Sequence, residues 1–146
     1  MVLWYIIVVV VADIVSCKHL KLAVSRLNTE TADAGLVTTL SVNAQQQTVL
    51  VDTGTSKSFF VWKTWYELRA GSGKCKQLLY GCYHRSIAFP KPMQVERVSF
   101  EDGASVGIFP YMDSVRFGDF TKAHTTFGLV SASDPPPTEM APHASF

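Results

Sequence analysis

A short turn carrying an acidic residue lies between two apolar, β-rich runs, and this stretch constrains the fold most strongly. Residues 48–51 precede Asp52, and residues 59–62 follow the turn. Because β-branched and aromatic residues favour strands, the turn is predicted to join two strands at the edge of a core. At such an edge, desolvation and nearby charge can shift the pKa of a carboxyl group, which suits acid–base chemistry.

The residues after Asp52 fit a turn built around its carboxylate. Gly54 allows backbone amides to approach the carboxylate closely. Thr53 and Thr55 each offer a hydroxyl that can donate to an ionised Asp52 or support the turn. An Asp-Thr-Gly tripeptide is also compatible with an ordinary turn between strands, so the interpretation depends on the flanking sequence.

The flanking sequence extends the pattern along most of the chain. Residues 49–56 resemble the first active-site motif of pepsin-like aspartic endopeptidases. Further landmarks follow the family's order: a first hairpin in residues 35–48, a short disulfide loop at Cys75 and Cys82, a flap hairpin in residues 98–107, and strands at residues 113–118 and 126–129. The resemblance implies an all-β fold, namely the pepsin-like N-terminal lobe, a double-psi-type β sandwich or barrel.

The same resemblance implies a secreted aspartic endopeptidase that hydrolyses peptide or protein substrates. In such enzymes two Asp carboxylates share a proton and activate a water molecule, and Asp52 would be one of them. No metal or organic cofactor is implied. The resemblance also implies that Thr53, Gly54 and Thr55 support the catalytic loop. It implies that the flap consists of Phe100, Glu101, Asp102 and Gly103. Apolar substrate subsites would be lined by Phe59 and Phe109.

The flap sequence carries both a strong turn signal and a departure from the family. Asp102-Gly103 between alternating runs predicts a two-residue hairpin, which in another context would be an ordinary surface hairpin. The family usually has Tyr at the position of Phe100 and Trp at that of Phe59, and the two share a hydrogen bond. Because both are Phe here, no buried donor lacks an acceptor. We therefore expect the flap to be held by an apolar contact and activity to be reduced.

The sequence contains one Asp-Thr-Gly, and its other Asp residues lie in contexts unlike that motif. The printed sequence stops at Phe146, where the family continues into a strand that packs behind the catalytic loop. We therefore predict a lobe that is incomplete at its C-terminus and needs a complementary second lobe, or a second copy, to form a full site. Without that strand, we expect Val49, Val51 and Phe60 to be partly open to water and the isolated chain to fold poorly.

Two other functions fit the same residues. A catalytically inactive secreted binding protein could keep the lobe as a scaffold, and the Phe residues at the flap favour that reading. A retroviral-type homodimer could place two copies of Asp52 at one site. The length of the chain and its disulfide loop argue against the homodimer.

The N-terminal residues indicate export. Residues 1–17 open with an apolar run interrupted by Asp13, which is too short for a spanning helix of roughly 20 residues. We interpret them as a secretory signal peptide with no stable membrane anchor, although the run lacks Lys and Arg and a signal anchor is the alternative. The predicted location is extracellular or the lumen of an acidic secretory compartment.

The polar residues 18–34 that follow are interpreted as a vestigial pro-segment or N-terminal arm. Their apolar positions, Leu20, Leu22, Val24 and Leu27, are compatible with a short amphipathic helix. The lobe itself is expected to span residues 35–146.

Cysteine content and charge exclude other classes. Signal cleavage after Cys17 would leave two of the three cysteines, and Cys75 and Cys82 could then close a small loop. With His84 nearby, these two match no zinc pattern, so no metal site is predicted. The net charge of +1, without a basic stripe, gives no indication of nucleic-acid binding.

Strands are predicted at residues 48–52, 59–62, 95–100, 105–109, 114–117 and 125–130, because β-branched or aromatic residues there are bounded by Gly, Asp or Pro. The tail from Ser131 onward shows no periodicity and is predicted to be loop.

Overall fold

A computed structural model of the protein describes residues 22–28 and 33–146, so the predicted signal peptide lies outside the described residues. Strands dominate, and the predicted all-β class is confirmed. The elements are β1 (Val24–Asn28), β2 (Asp33–Val42), β3 (Gln45–Leu50), β4 (Phe59–Val61), α1 (Lys63–Ala70), β5 (Glu96–Ser99), β6 (Ser105–Phe117) and β7 (Phe120–Asp134), with 3₁₀ turns at Lys74–Lys76 and Pro92–Gln94. Within this part of the chain, no helix is long and apolar enough to cross a membrane.

The strands of the described ranges form one mixed sheet. Its main path runs β1-β2-β6-β7-β4, with β3 paired to β2 and β5 paired to β6. The β4–β7 pair is parallel, and the other strand pairs are antiparallel. Because β4 follows the Asp52 turn directly, its pairing with β7 fixes one end of that turn to the sheet.

The predicted first hairpin is present as β2 and β3. Asn43 and Ala44 form its two-residue turn, with φ of 46° and 62° respectively. Positive φ at both central positions matches the right-handed twist of the paired strands. Asp52 therefore lies just after the second strand of this hairpin, β3.

The core packs aromatic rings against the buried strand β4 and the buried residues 127–130 of β7. Phe60 meets Phe127 edge-on, with ring centroids 4.9 Å apart and planes at 89°. Such edge-to-face pairs add about 0.5–1.5 kcal/mol beyond the area they bury. The aromatic members of the buried cluster are Phe59, Phe60, Trp62, Trp65, Tyr66, Tyr80, Tyr83, Phe109, Phe117 and Phe127.

Part of the segment 18–34, for which a short helix was suggested, is described by the structure, and there the suggestion is wrong. Residues 24–28 form β1, which pairs antiparallel with β2, and Thr38 Oγ1 donates to the carbonyl of Ala23 at 2.8 Å. The apolar residues of this short segment also fit a strand, and pairing with β2 satisfies its backbone groups. The segment therefore adds a strand to the sheet of the predicted lobe.

Helix α1 was not predicted. Trp65 and Tyr66 are its buried residues, and the Tyr66 hydroxyl donates to the carbonyl of Thr138 at 2.7 Å. The helix ends at Gly71, which has φ of 111° and donates its N–H to the carbonyl of Glu67. Eight residues are few for a periodic signal, and this short helix is stabilised by packing on the sheet.

The prediction of loop from Ser131 onward is wrong for residues 131–134 and 144–146, whereas residues 135–143 are irregular as predicted. Strand β7 continues to Asp134, and residues 144–146 lie between the end of β3 and the start of β4. The amide of Leu50 donates to the carbonyl of Ala144 at 2.8 Å, and Phe59 and Ser145 exchange two backbone hydrogen bonds of 2.9 and 3.0 Å. These residues occupy the gap that was expected behind the catalytic loop.

Closing that gap changes the predicted burial. Val49 and Phe60 are fully buried, contrary to the expectation that both would be partly open to water, whereas Val51 is half-buried.

The predicted strands 105–109 and 114–117 are one strand, β6, with an irregularity in its pairing between Asp113 and Val115.

Candidate functional site

The Asp52 turn is held on both sides by backbone hydrogen bonds. The amide of Val51 donates to the carbonyl of Leu36 at 2.8 Å, and the amide of Asp52 donates to that of Phe146 at 3.3 Å. Asp52 Oδ1 accepts the amide of Gly54 at 2.7 Å, and a Cβ added at Gly54 would lie 3.1 Å from that oxygen. The close approach predicted for Gly54 is therefore present, and it fixes the carboxylate within its own turn.

The two threonines of the turn occupy different environments. Thr55 Oγ1 accepts the amide of Lys57 at 3.2 Å, which is the turn-supporting option of the two considered. Thr53 is exposed on the turn. Their part in orienting Asp52 for catalysis stays a prediction.

The predicted flap is a hairpin between β5 and β6, but its loop is longer than expected. The amide of Phe100 donates to the carbonyl of Ala104 at 2.9 Å, and the amide of Gly103 donates to that of Phe100 at 3.1 Å. Glu101, Asp102 and Gly103 thus form a three-residue loop, with Gly103 at φ of 87°. This is a type I turn followed by a bulge, which corrects the two-residue turn predicted from Asp102-Gly103.

The flap contacts the strand that follows the Asp52 turn. The rings of Phe59 and Phe100 lie 6.3 Å apart at an angle of 53°. The two positions that depart from the family are therefore neighbours joined by an apolar contact, as the paired change to Phe suggested. Phe109, the other predicted subsite residue, is buried against Trp62 at 5.4 Å, so the two predicted subsite residues lie in different ring clusters.

His143 is a site residue that the sequence interpretation missed. Its ring lies 4.9 Å from that of Phe100, 5.9 Å from Phe59 and 6.1 Å from Tyr80. Its Nε2 is buried without a hydrogen-bond partner. No motif surrounds it in the sequence, because the tail that carries it was predicted to be loop.

The electrostatic surroundings of His143 connect it to both parts of the candidate site. Burial lowers the pKa of its imidazole, and the carboxylates of Asp52 and Asp102 oppose that effect in part. A small cavity of about 170 Å³ lies beside the ring, and its lining includes Phe100, Asp102, Asp134 and Pro142. The Asp52 turn and the flap therefore act on the same half-buried ring.

A larger groove lies beside the end of the Asp52 turn. It has a volume of about 540 Å³, and residues 56–58 form part of its lining together with Glu96 of β5 and Phe127 of β7. An ion pair of 3.0 Å joins Lys57 to Glu96. Both partners are exposed, so the pair contributes little to stability.

The predicted disulfide between Cys75 and Cys82 is present. The loop that it closes carries Tyr80, which is buried and packs against His143.

The amide of His84 donates to the side-chain oxygen of Gln45 at 2.8 Å. In residues 22–28 and 33–146, no group of three or more His, Cys, Asp or Glu side chains is arranged to hold a metal ion.

Asp113 belongs to a separate polar network. The Tyr83 hydroxyl donates to Asp113 Oδ2 at 2.7 Å, and Arg85 lies 3.8 Å from the same oxygen. Burial, together with this hydrogen bond, raises the pKa of Tyr83 far above its ordinary value. Tyr83 therefore remains a neutral donor, and Asp113 is its structural acceptor.

Comparison with known proteins finds similarity among solved structures. No family model matches the sequence, and no curated protein sequence matches it. Among solved structures, the aspartic proteinase from Irpex lacteus is similar, with a TM-score of 0.41 and 18% identity, over 70% of this chain and 26% of the proteinase. The chain thus spans about a quarter of the length of that proteinase.

Proposed function

We propose that this chain is the N-terminal lobe of a secreted pepsin-like aspartic endopeptidase, with Asp52 as one member of the catalytic dyad. The observation that carries the proposal is the Asp52 turn itself. Its carboxylate is held by the Gly54 amide at 2.7 Å, at the end of a strand and next to a strand that contacts the flap. An acidic group fixed beside a hairpin that can cover a cleft is the arrangement that this chemistry needs.

The proposed reaction requires a second carboxylate, supplied by a complementary lobe or by a second copy. Two carboxylates close together share one proton, because both cannot ionise easily at short distance. The ionised member takes a proton from water as the water attacks the peptide carbonyl, and the protonated member donates to the carbonyl oxygen. In this scheme the Gly54 amide orients Asp52, and Phe100, Glu101, Asp102 and Gly103 cover the substrate.

The contact between Phe59 and Phe100 also favours a second candidate, an inactive secreted binding protein. With two Phe rings the flap is held by packing alone, without the polar contact that the family usually has at these positions. Such a lobe would bind a peptide or protein partner in the same cleft without hydrolysing it.

The test combines the chain with a second lobe that carries an Asp-Thr-Gly motif. We expect peptide hydrolysis at acidic pH that a statine-type transition-state mimic inhibits. Asp52→Asn should abolish it, since removing one member of a general acid–base pair typically costs at least 10²-fold in rate. Asp119→Asn, in the exposed turn between β6 and β7, changes the charge equally and should leave the rate unchanged.

Three outcomes would redirect the assignment. Hydrolysis that persists in Asp52→Asn would exclude Asp52 from the dyad. A combined protein that binds peptides but never cleaves them, with affinity unaffected by Asp52→Ala, would favour the binding protein. Acid hydrolysis by the chain without any added lobe, dependent on protein concentration squared, would indicate the homodimer.

A further inference from the structure

His143, Phe59 and Phe100 form a cluster that we name the aromatic latch. His143 lies 4.9 Å from Phe100 of the flap and 5.9 Å from Phe59 of β4, and these two Phe rings are 6.3 Å apart. The three residues come from three separate parts of the chain: the segment before residue 144, strand β4 and the flap. The imidazole is thus a packing link between the flap and the strand that follows Asp52.

The latch contains one group that can change charge. His143 Nε2 is buried and has no hydrogen-bond partner, so a proton added there has no acceptor in the surrounding protein. The titratable groups around the ring are Tyr80 in the disulfide loop, Asp52 after β3, Asp102 in the flap, and Asp134 at the cavity beside it.

The balance among these groups favours the neutral ring. Burial lowers the pKa of His143, and the attraction of Asp52 and Asp102 for the imidazolium offsets only part of that effect. In an open flap the ring would meet water and titrate near its ordinary pKa of about 6.5.

We propose that His143 is a positioning residue for the flap: its neutral ring holds the flap against β4, and protonation releases it. The sign follows from linkage, since the closed flap binds fewer protons than the open one. Closure is therefore favoured at neutral pH and weakens as the pH falls below about 6.5 toward the lowered pKa of the closed state. The inference rests on the proposed function for its purpose, namely keeping the site covered until the compartment is acidic.

The test measures the flap directly and needs no catalytic activity. Amide hydrogen exchange is followed by NMR between pH 7.5 and 5, with each rate corrected for the intrinsic pH dependence of exchange. The amides of Phe100 and Gly103 report on the flap, because both donate backbone hydrogen bonds within it. Amides of the paired residues Ile108 and Val130 report on global unfolding.

We expect the protection factors of the flap amides to fall as the pH is lowered. The fall should be at most about tenfold for each unit by which the pKa of His143 differs between the open and the closed flap. The protection factors of Ile108 and Val130 should stay constant. His143→Phe keeps an aromatic ring but cannot titrate, so its flap protection should not change with pH. His143→Leu offers a second non-titrating side chain if the Phe variant packs poorly. His84→Ala removes an exposed histidine and should behave as the wild type.

Flap protection that is independent of pH in the wild type would overturn the proposal, as would an unchanged pH response in His143→Phe or His143→Leu. If the chain never hydrolyses peptide but shows the His143-dependent response, the proposed enzyme function is wrong and the latch proposal is supported. If it hydrolyses peptide and its flap protection does not depend on pH, the latch proposal is wrong and the enzyme function is supported.

Discussion

Gly128 lies where β4, β6 and β7 meet, and its lack of a side chain is what lets the three strands approach. A Cβ at this position would lie 2.7 Å from Ile108 Cδ1 and 3.1 Å from Phe59 Cβ. Gly128→Ala should therefore cost about 1–3 kcal/mol of unfolding free energy by overpacking. Urea denaturation followed by tryptophan fluorescence measures the change.

The control for Gly128→Ala is Thr126→Ala, an exposed change on the same strand that should have little effect. Because the nearest atom is the terminal methyl of Ile108, Ile108→Val should restore part of the stability in the double variant, which a double-mutant cycle would detect. A Gly128→Ala chain as stable as the wild type would show that the strands can separate to admit the methyl group.

At the scale of single residues, the sequence predicted what depends on local chemistry. The hydrogen bond between the Gly54 amide and Asp52 spans two positions, so the turn residues alone suffice to anticipate it. His143 could not be found in this way. It reaches Phe59, Phe100 and Tyr80 only after the tail folds back, and these contacts are all distant along the chain.

At the scale of elements, the disulfide loop packs against the aromatic latch. The Cys75–Cys82 bond closes the segment that carries Tyr80 to His143. Replacing both cysteines with Ala should lower the unfolding free energy by about 2–3 kcal/mol, since the unfolded chain regains the freedom of a short loop. Chemical denaturation with and without reductant measures the loss.

Reductant should destabilise the wild type and leave the double Ala variant unchanged, which makes the variant its own control. Equal stability of the wild type in both conditions would mean that the 75–82 loop is restricted even without the covalent bond.

The elements that were predicted correctly are those with strong local signals. The first hairpin and the hairpin around Gly103 each have at the turn a residue type that tolerates positive φ, Asn43 and Gly103 respectively. Strand β1 and helix α1 are short, with patterns compatible with either structure, and tertiary pairing decides between them. The loop length of the flap was misjudged because Asp-Gly also fits a three-residue loop with a bulge.

At the scale of the whole molecule, residues 144–146 join the strands on the two sides of the Asp52 turn. They share backbone hydrogen bonds with Leu50, Asp52 and Phe59, and Phe146 packs against Phe117 with ring centroids 5.0 Å apart. A paired segment of three residues has too little pattern to be recognised in a sequence. Its position depends on the gap between β3 and β4, which exists only in the folded sheet. We therefore expect the isolated chain to fold, contrary to the expectation drawn from the sequence.

Ser145 provides a test of this closure. It lies between Leu50 and Phe59, fully buried, and its amide donates to the carbonyl of Phe59 at 3.0 Å. Ser145→Pro removes that donor and places a ring inside a paired segment, so we expect a loss of about 3 kcal/mol or more. Because net stabilities are only about 5–15 kcal/mol, such a loss should lower the thermal midpoint sharply and expose strand edges to association. Scanning calorimetry and size-exclusion chromatography measure both effects.

Ser145→Ala is the matched control, because it keeps the amide and removes only the hydroxyl. The Ser145 Oγ is buried without a hydrogen-bond partner, so its removal should be neutral or stabilising. A Ser145→Pro chain that unfolds cooperatively at the wild-type midpoint and elutes as a monomer would mean that residues 144–146 are not paired between β3 and β4 in solution. In that case the Asp52 turn would lose its support from Phe146, and the unpaired sheet edges inferred from the sequence would be the better description.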